Sequence, residues 1–131
     1  MKPRRRSDNV RRILMVGQER SLAWQIESML TNNGRYLIYL ECDNSEMSVV
    51  MSQLNPDLLL IDMDMPELDH KRVLEDHVGD ADARNIPVLL ISSLMCWNSV
   101  MPIAQGDSYP LLSKKAGASA LARQIHEKMA I

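Results

Sequence analysis

The stretch LLLIDMDMPELDH, Leu58 to His70, runs four apolar residues into Asp62, adds Asp64 and turns at Pro66. An acid closing a hydrophobic run is costly unless it caps, pairs or does chemistry. Three other segments end on residues that bear on the same task as these carboxylates. "IPVLLIS" ends on Ser92, "YPLLS" is followed by Lys114 and Lys115, and "RILMV" is followed by Gly17, Gln18 and Glu19. A carboxylate nucleophile, a hydroxyl that hydrogen-bonds a phosphate oxygen and a lysine that neutralises charge together describe a site for a phosphoryl group.

Such a site exists only if the fold brings these segments together. Arg12–Val16, Arg35–Glu41, Asp57–Asp62, Ile86–Ser92 and Tyr109–Ser113 read as short apolar strands, the third and fourth without alternation, as for strands covered on both faces. Helical spacing follows each. Leu22, Ile26, Met29 and Leu30 share a face, closed by Asn33-Gly34; Met47, Val50, Met51 and Leu54 share another, with Asp43 or Asn44 as N-cap and Asn55-Pro56 as the stop. A third helix is expected from Asp69 with Val73, Leu74 and Val78 inward, before a polar loop over Gly79–Asn85. A short fourth helix near Trp97 to Ala104 is interrupted by Pro102, and a last one from Ala116 turns Ala118, Leu121, Ala122, Ile125 and Met129 inward. Strands alternating with helices at these lengths build an α/β fold, an open, doubly wound parallel sheet with helices on both faces. Ligands of such sheets sit beyond the carboxyl ends of the strands, where Asp62 falls.

The bulk properties narrow the classes. The 131 residues suit one domain, and 4% aromatics with no Phe and ten Met imply an aliphatic core with methionine filling its gaps. The net charge of −2 steers the protein to neither nucleic acid nor membrane. Lys2, Arg4, Arg5 and Arg6, with Arg11 and Arg12, make the start basic; residues 1–10 read as a disordered leader, alternatively as an arm for phosphate backbone. Cys42 and Cys96 lack metal-ligand spacing and suit reduced thiols in the cytoplasm; His70, His77 and His126 share no ligand spacing and read as surface residues. No helix-turn-helix or glycine-rich phosphate loop is present, which speaks against a nucleic-acid-binding protein and against an enzyme.

With these residues in order on a βα pattern, residues 11–131 resemble the receiver domain of two-component response regulators. "PDLLLIDMDMPELDH" is similar to the phosphoacceptor segment, with Asp62 on the phosphorylated aspartate and Pro66 on the proline four residues later. "IPVLLISS" places Ser92 on the switch hydroxyl, and "LLSKKAG" places Lys114 on the site lysine, with Lys115 in the usual proline position. The resemblance implies a (βα)5 flavodoxin-like (CheY-like) sheet of five parallel strands in order 2-1-3-4-5. It also implies a bacterial, cytoplasmic signalling role, often in transcription regulation. Partners would be a histidine kinase, an output domain, or a second copy docked through the fourth and fifth helices and fifth strand.

The departure is at strand one. The family places two adjacent acids there, which hold magnesium with the phosphoacceptor; "ILMVGQER" has Gly17 and Gln18 instead. Glu19 and Asp64 are the remaining candidate ligands, with a backbone carbonyl of Met63 or Asp64. Magnesium favours near-octahedral oxygen sets with one or two carboxylates, so binding is expected to be weak or absent and no cofactor is expected. The expectation is an atypical receiver that works as an interaction module with impaired phosphorylation. The alternatives are a working phosphoacceptor at Asp62 and a nucleic-acid-binding protein using the basic arm. Asp62 has a structural alternative as an ion pair with Lys114, Asp64 as a solvated loop acid, and Ser92 as a strand-end hydroxyl bonded to backbone. Trp97, Met95 and Met101 are expected to pack in the core or to form a partner surface.

Overall fold

The computed structural model describes residues 10–42, 46–64, 74–93, 99–102 and 108–129. The basic segment 1–9, Asp43, Asn44, Pro66, Asp69, His70, Val73, Met95, Cys96 and Trp97 lie outside the described residues. In chain order the elements are β1 (Arg11–Val16), α1 (Arg20–Leu30), β2 (Tyr36–Glu41), α2 (Met47–Leu54) and β3 (Leu58–Asp62). A π-helical turn (Leu74–Val78) then leads into α3 (Gly79–Ala83), followed by β4 (Val88–Ser92), β5 (Ser99–Pro102), β6 (Ser108–Ser113) and α4 (Ala118–Met129).

The strands form a six-stranded sheet in the order β2-β1-β3-β4-β6-β5. The expected five parallel strands are present in the order 2-1-3-4-5, with β6 as the fifth, and every pair among them is parallel. The sixth strand is a difference: Ser99–Pro102, expected to be helical, pairs antiparallel with β6 at the sheet's edge. Val100 is β-branched and suits a strand, and Pro102 closes a strand at an edge at little cost.

The apolar runs alternate between two cores. Leu14, Val16, Leu59, Ile61, Leu90 and Leu111 face α2 and α3 with Met47, Met51, Val78 and Ala81. Ile13, Met15, Leu58, Leu60, Ile91 and Leu112 face α1 and α4 with Ile26, Leu30, Leu121 and Ile125. All five residues of β3 and of β4 are buried, because helices cover both sides. Met15, Met47, Met51, Met63 and Met129 fill the interior as the composition implied.

Three local readings are corrected. The helix continues through Gly79–Ala83 instead of looping, because Ala81 completes a buried stripe with His77 and Val78; Asn85, at φ 60°, then turns the chain. Met29 lies on the solvent side of α1, its place taken by Ala23. His77 is buried, and His126 is half-buried with its Nδ1 2.6 Å from the Tyr36 hydroxyl, so neither is a bare surface group.

Candidate functional site

The strand order reverses between β1 and β3, and in open sheets of this kind ligands sit at the carboxyl ends of the strands at such a reversal. β3 delivers Asp62 there through its register with β4, locked by the Met63 N–H donating to the Ile91 carbonyl at 2.8 Å. Ser92 and Ser113 are cross-strand partners at the same level. Past β6 the chain tightens into a 3-10 turn (Lys114–Ala116), with Ser113 Oγ accepting the Lys115 N–H. That turn aims Lys114 back over the strand ends, while Lys115 is exposed.

The structure brings the candidate residues into one cluster. Asp62 is 2% exposed, and its carboxylate lies 2.8 Å from Lys114 Nζ. The Asp64 N–H donates to Asp62 Oδ1 at 2.9 Å. Asp64 is not a solvated loop acid: it lies 3.1 Å from Lys114 Nζ and accepts from Ser92 Oγ at 2.9 Å and from the Ser93 N–H at 2.8 Å. Ser92, buried, thus donates to a side chain, where a strand-end hydroxyl was expected to use backbone. Glu19, at the N-terminus of α1, closes the cluster by accepting from Lys114 Nζ.

Charge follows geometry. Burial pushes the Asp62 carboxyl above the usual carboxylate range, against the pull of Lys114 and the Asp64 N–H. Burial would raise Asp64 as well, but the Ser93 N–H, Lys114 and the two serine hydroxyls hold it below that range. Burial alone would depress Lys114; its hydrogen bonds to Asp62, Glu19 and Asp64 outweigh that and hold the ammonium above its ordinary value. Lys114 is therefore a fixed cation for three carboxylates.

The two positions at which the resemblance leads one to expect acids are explicit. Gly17 is buried, and a Cβ built there would stand 3.0 Å from Asp62 Cβ and 3.5 Å from its Oδ2. Gln18 is exposed. Among the described residues no group of three or more His, Cys, Asp or Glu side chains is arranged to hold a metal ion. The donors described do not suit magnesium: the carboxylates of Asp62, Asp64 and Glu19 converge on an ammonium. Sequence reasoning missed the role of Ser93, whose contribution is a backbone N–H that no side-chain pattern reveals.

No protein-family model matches the chain, and no curated protein sequence does. Solved structures do. The chain is similar to the receiver domain of the hybrid histidine kinase CckA, at 23% identity and TM-score 0.64 over 91% of this chain and 99% of that one. It is similar to the receiver domain of the Francisella response regulator 1452, at 20% and 0.62 over 91% and 96%. A response regulator from Desulfuromonas acetoxidans gives 18% and 0.65 over 91% and 96%. The sheet order and these likenesses agree: this chain has the fold of the response-regulator receiver domain.

Proposed function

We infer that this chain is an atypical receiver: a signalling module that acts through protein contact, in which magnesium-dependent phosphorylation of Asp62 is impaired. One observation carries the reading. Lys114 is the cation among Asp62, Asp64 and Glu19, while Gly17 and Gln18 stand where the family's acid pair would be. Phosphoryl transfer depends on positioned positive charge around phosphorus, and each such stabiliser is worth roughly 3–4 kcal/mol, or two to three orders of magnitude in rate. Lys114 supplies one charge but no template for both the attacking and the leaving oxygen. On this reading the chain is not an enzyme, takes no cofactor and works in the cytoplasm; among the described residues no helix is long and apolar enough to cross a membrane. Its partner is a protein or an attached output domain, and α4 with β6 is the face that the receiver fold offers to it.

The second reading, a working phosphoacceptor, is favoured by the convergence of Asp62, Ser92 and Lys114 on one rim. Incubation with acetyl phosphate and magnesium, followed by intact-mass measurement, separates the two. In that reaction an Asp62 oxygen would bond to phosphorus as acetate leaves. The expected result is an unmodified chain under conditions that label an ordinary receiver. A species heavier by about 80 Da that disappears in Asp62→Ala would establish the phosphoacceptor instead.

A further inference from the structure

β2 is an edge strand, paired with β1 and with no second strand neighbour among the described residues. Its register fixes which backbone groups look outward. The Arg11 and Gly17 N–H groups donate to the Arg35 and Glu41 carbonyls, so the odd-numbered residues of this stretch face β1. Tyr36, Ile38 and Leu40 therefore point their N–H and C=O groups away from the sheet. Proteins commonly blunt such edges with charge, proline or a covering element, because an open apolar edge templates pairing. Here Leu37, Ile38, Tyr39 and Leu40 run uninterrupted, and Leu37 and Tyr39 are exposed. Trp24, 67% exposed, flanks the same edge in a groove of about 180 Å³ shared with Ile38 and Leu40. One guard is in place: Glu27 Oε2 accepts the Ile38 N–H at 2.8 Å.

We propose that the β2 edge is a self-association surface, on which a second copy of this chain adds its own β2 antiparallel about a two-fold axis at Ile38. The stretch RYLIYLE is complementary to itself in that arrangement. Centred on Ile38, it sets Tyr36 against Leu40 of the second copy, so the outward-facing backbone groups meet each other in hydrogen-bonded pairs. Leu37 lies opposite Tyr39 of the second copy, an aliphatic–aromatic cross-strand pair formed twice by symmetry. Arg35 lies opposite Glu41 of the second copy, again twice, so opposite charges close both ends of the ribbon. A register shifted by one residue would bring the outward groups of one strand against the inward groups of the other. Shifts that keep the parity lose the Arg35–Glu41 match at both ends of the ribbon. Pairing replaces the Glu27 guard by the Ile38 carbonyl of the second copy and frees the carboxylate to water. This surface lies at the opposite edge of the sheet from β6 and β5 and is independent of the Asp62 cluster.

Sedimentation velocity over a concentration series, with the full chain, tests it. The expected result is a monomer–dimer equilibrium that Leu37→Lys abolishes. Glu41→Arg, which sets arginines against each other twice, weakens it about tenfold or more. Arg35→Glu combined with Glu41→Arg restores it to within about threefold, because the pair is swapped and not lost. Hydrogen exchange on the unaltered chain reads the same surface without any substitution: the Tyr36, Ile38 and Leu40 amides gain protection as concentration rises. A chain that stays monomeric to about 1 mM overturns the proposal. So does a dimer indifferent to Glu41→Arg, or concentration-dependent protection that falls on β6 and α4 instead.

Discussion

Lys114 is the residue on which the charged cluster balances. Its side chain is 10% exposed and holds Asp62, Asp64 and Glu19 together. Removing one partner of a buried ion pair leaves uncompensated charge, so Lys114→Met is expected to cost about 3 kcal/mol, read as a lower urea midpoint. Replacing Asp62 by Asn in that variant should recover part of the loss, because one of the stranded charges goes with it. Gly17 is the second revealing position. Its Cβ would meet Asp62 Cβ at 3.0 Å, a contact with the rigid root of a side chain and not its flexible end. Gly17→Ala is therefore expected to destabilise by about 1–2 kcal/mol in chemical denaturation. The same crowding means that an aspartate introduced at position 17 must displace Asp62 before it can supply an acid.

The elements differ in how firmly their own residues specify them. β3 and β4 are continuous apolar runs, and α4 carries Leu121, Ala122, Ile125 and Met129 as a single buried stripe. The helical segment Leu74–Ala83 is weaker, opening with a π turn and continuing through Gly79 in a polar stretch. A Cβ at Gly79 meets nothing within 4 Å. Gly79→Ala should therefore stabilise the chain by roughly 0.5–1 kcal/mol, since alanine gives up less backbone freedom than glycine on entering a helix. Circular dichroism melts of the two proteins check this; an unchanged or lower midpoint would mean that the segment is not helical in solution. The antiparallel β5 gives the sheet an edge where a helix was expected, and so alters the face on which a β6 partner would dock.

At the scale of the whole molecule, the cluster sets the response to pH. Lys114 is held above its ordinary value of 10.5, so its contribution is complete below that pH and is lost as the unfolded chain deprotonates first. Tyr36 acts in the same direction: burial raises its hydroxyl above 10.0, and the fold disfavours the phenolate. In acid, Asp64 and Asp62 oppose each other. The lowered Asp64 contributes stability above its unfolded value and loses it as pH falls, whereas the raised Asp62 favours the fold where it is protonated. Urea midpoints measured across pH should therefore decline above about pH 10 and vary less on the acid side. Tyr36→Phe should remove only part of the alkaline decline, the remainder belonging to Lys114.

Periodicity and composition were enough to determine the alternation of strands and helices as far as β4, the aliphatic, methionine-filled core and the convergence of Asp62, Ser92 and Lys114 on one rim. Those features depend on hydrophobic burial and on chirality rules that act on any parallel βα chain. The identity of each partner was a tertiary matter. That Asp64 turns inward, that the Ser93 N–H meets it, that Glu19 reaches Lys114, and that Ser99–Pro102 pairs with β6 all depend on contacts between segments distant in the chain. A short polar loop or a four-residue run carries too little periodicity to specify its own conformation. It takes the one in which neighbouring elements satisfy its hydrogen bonds and charges.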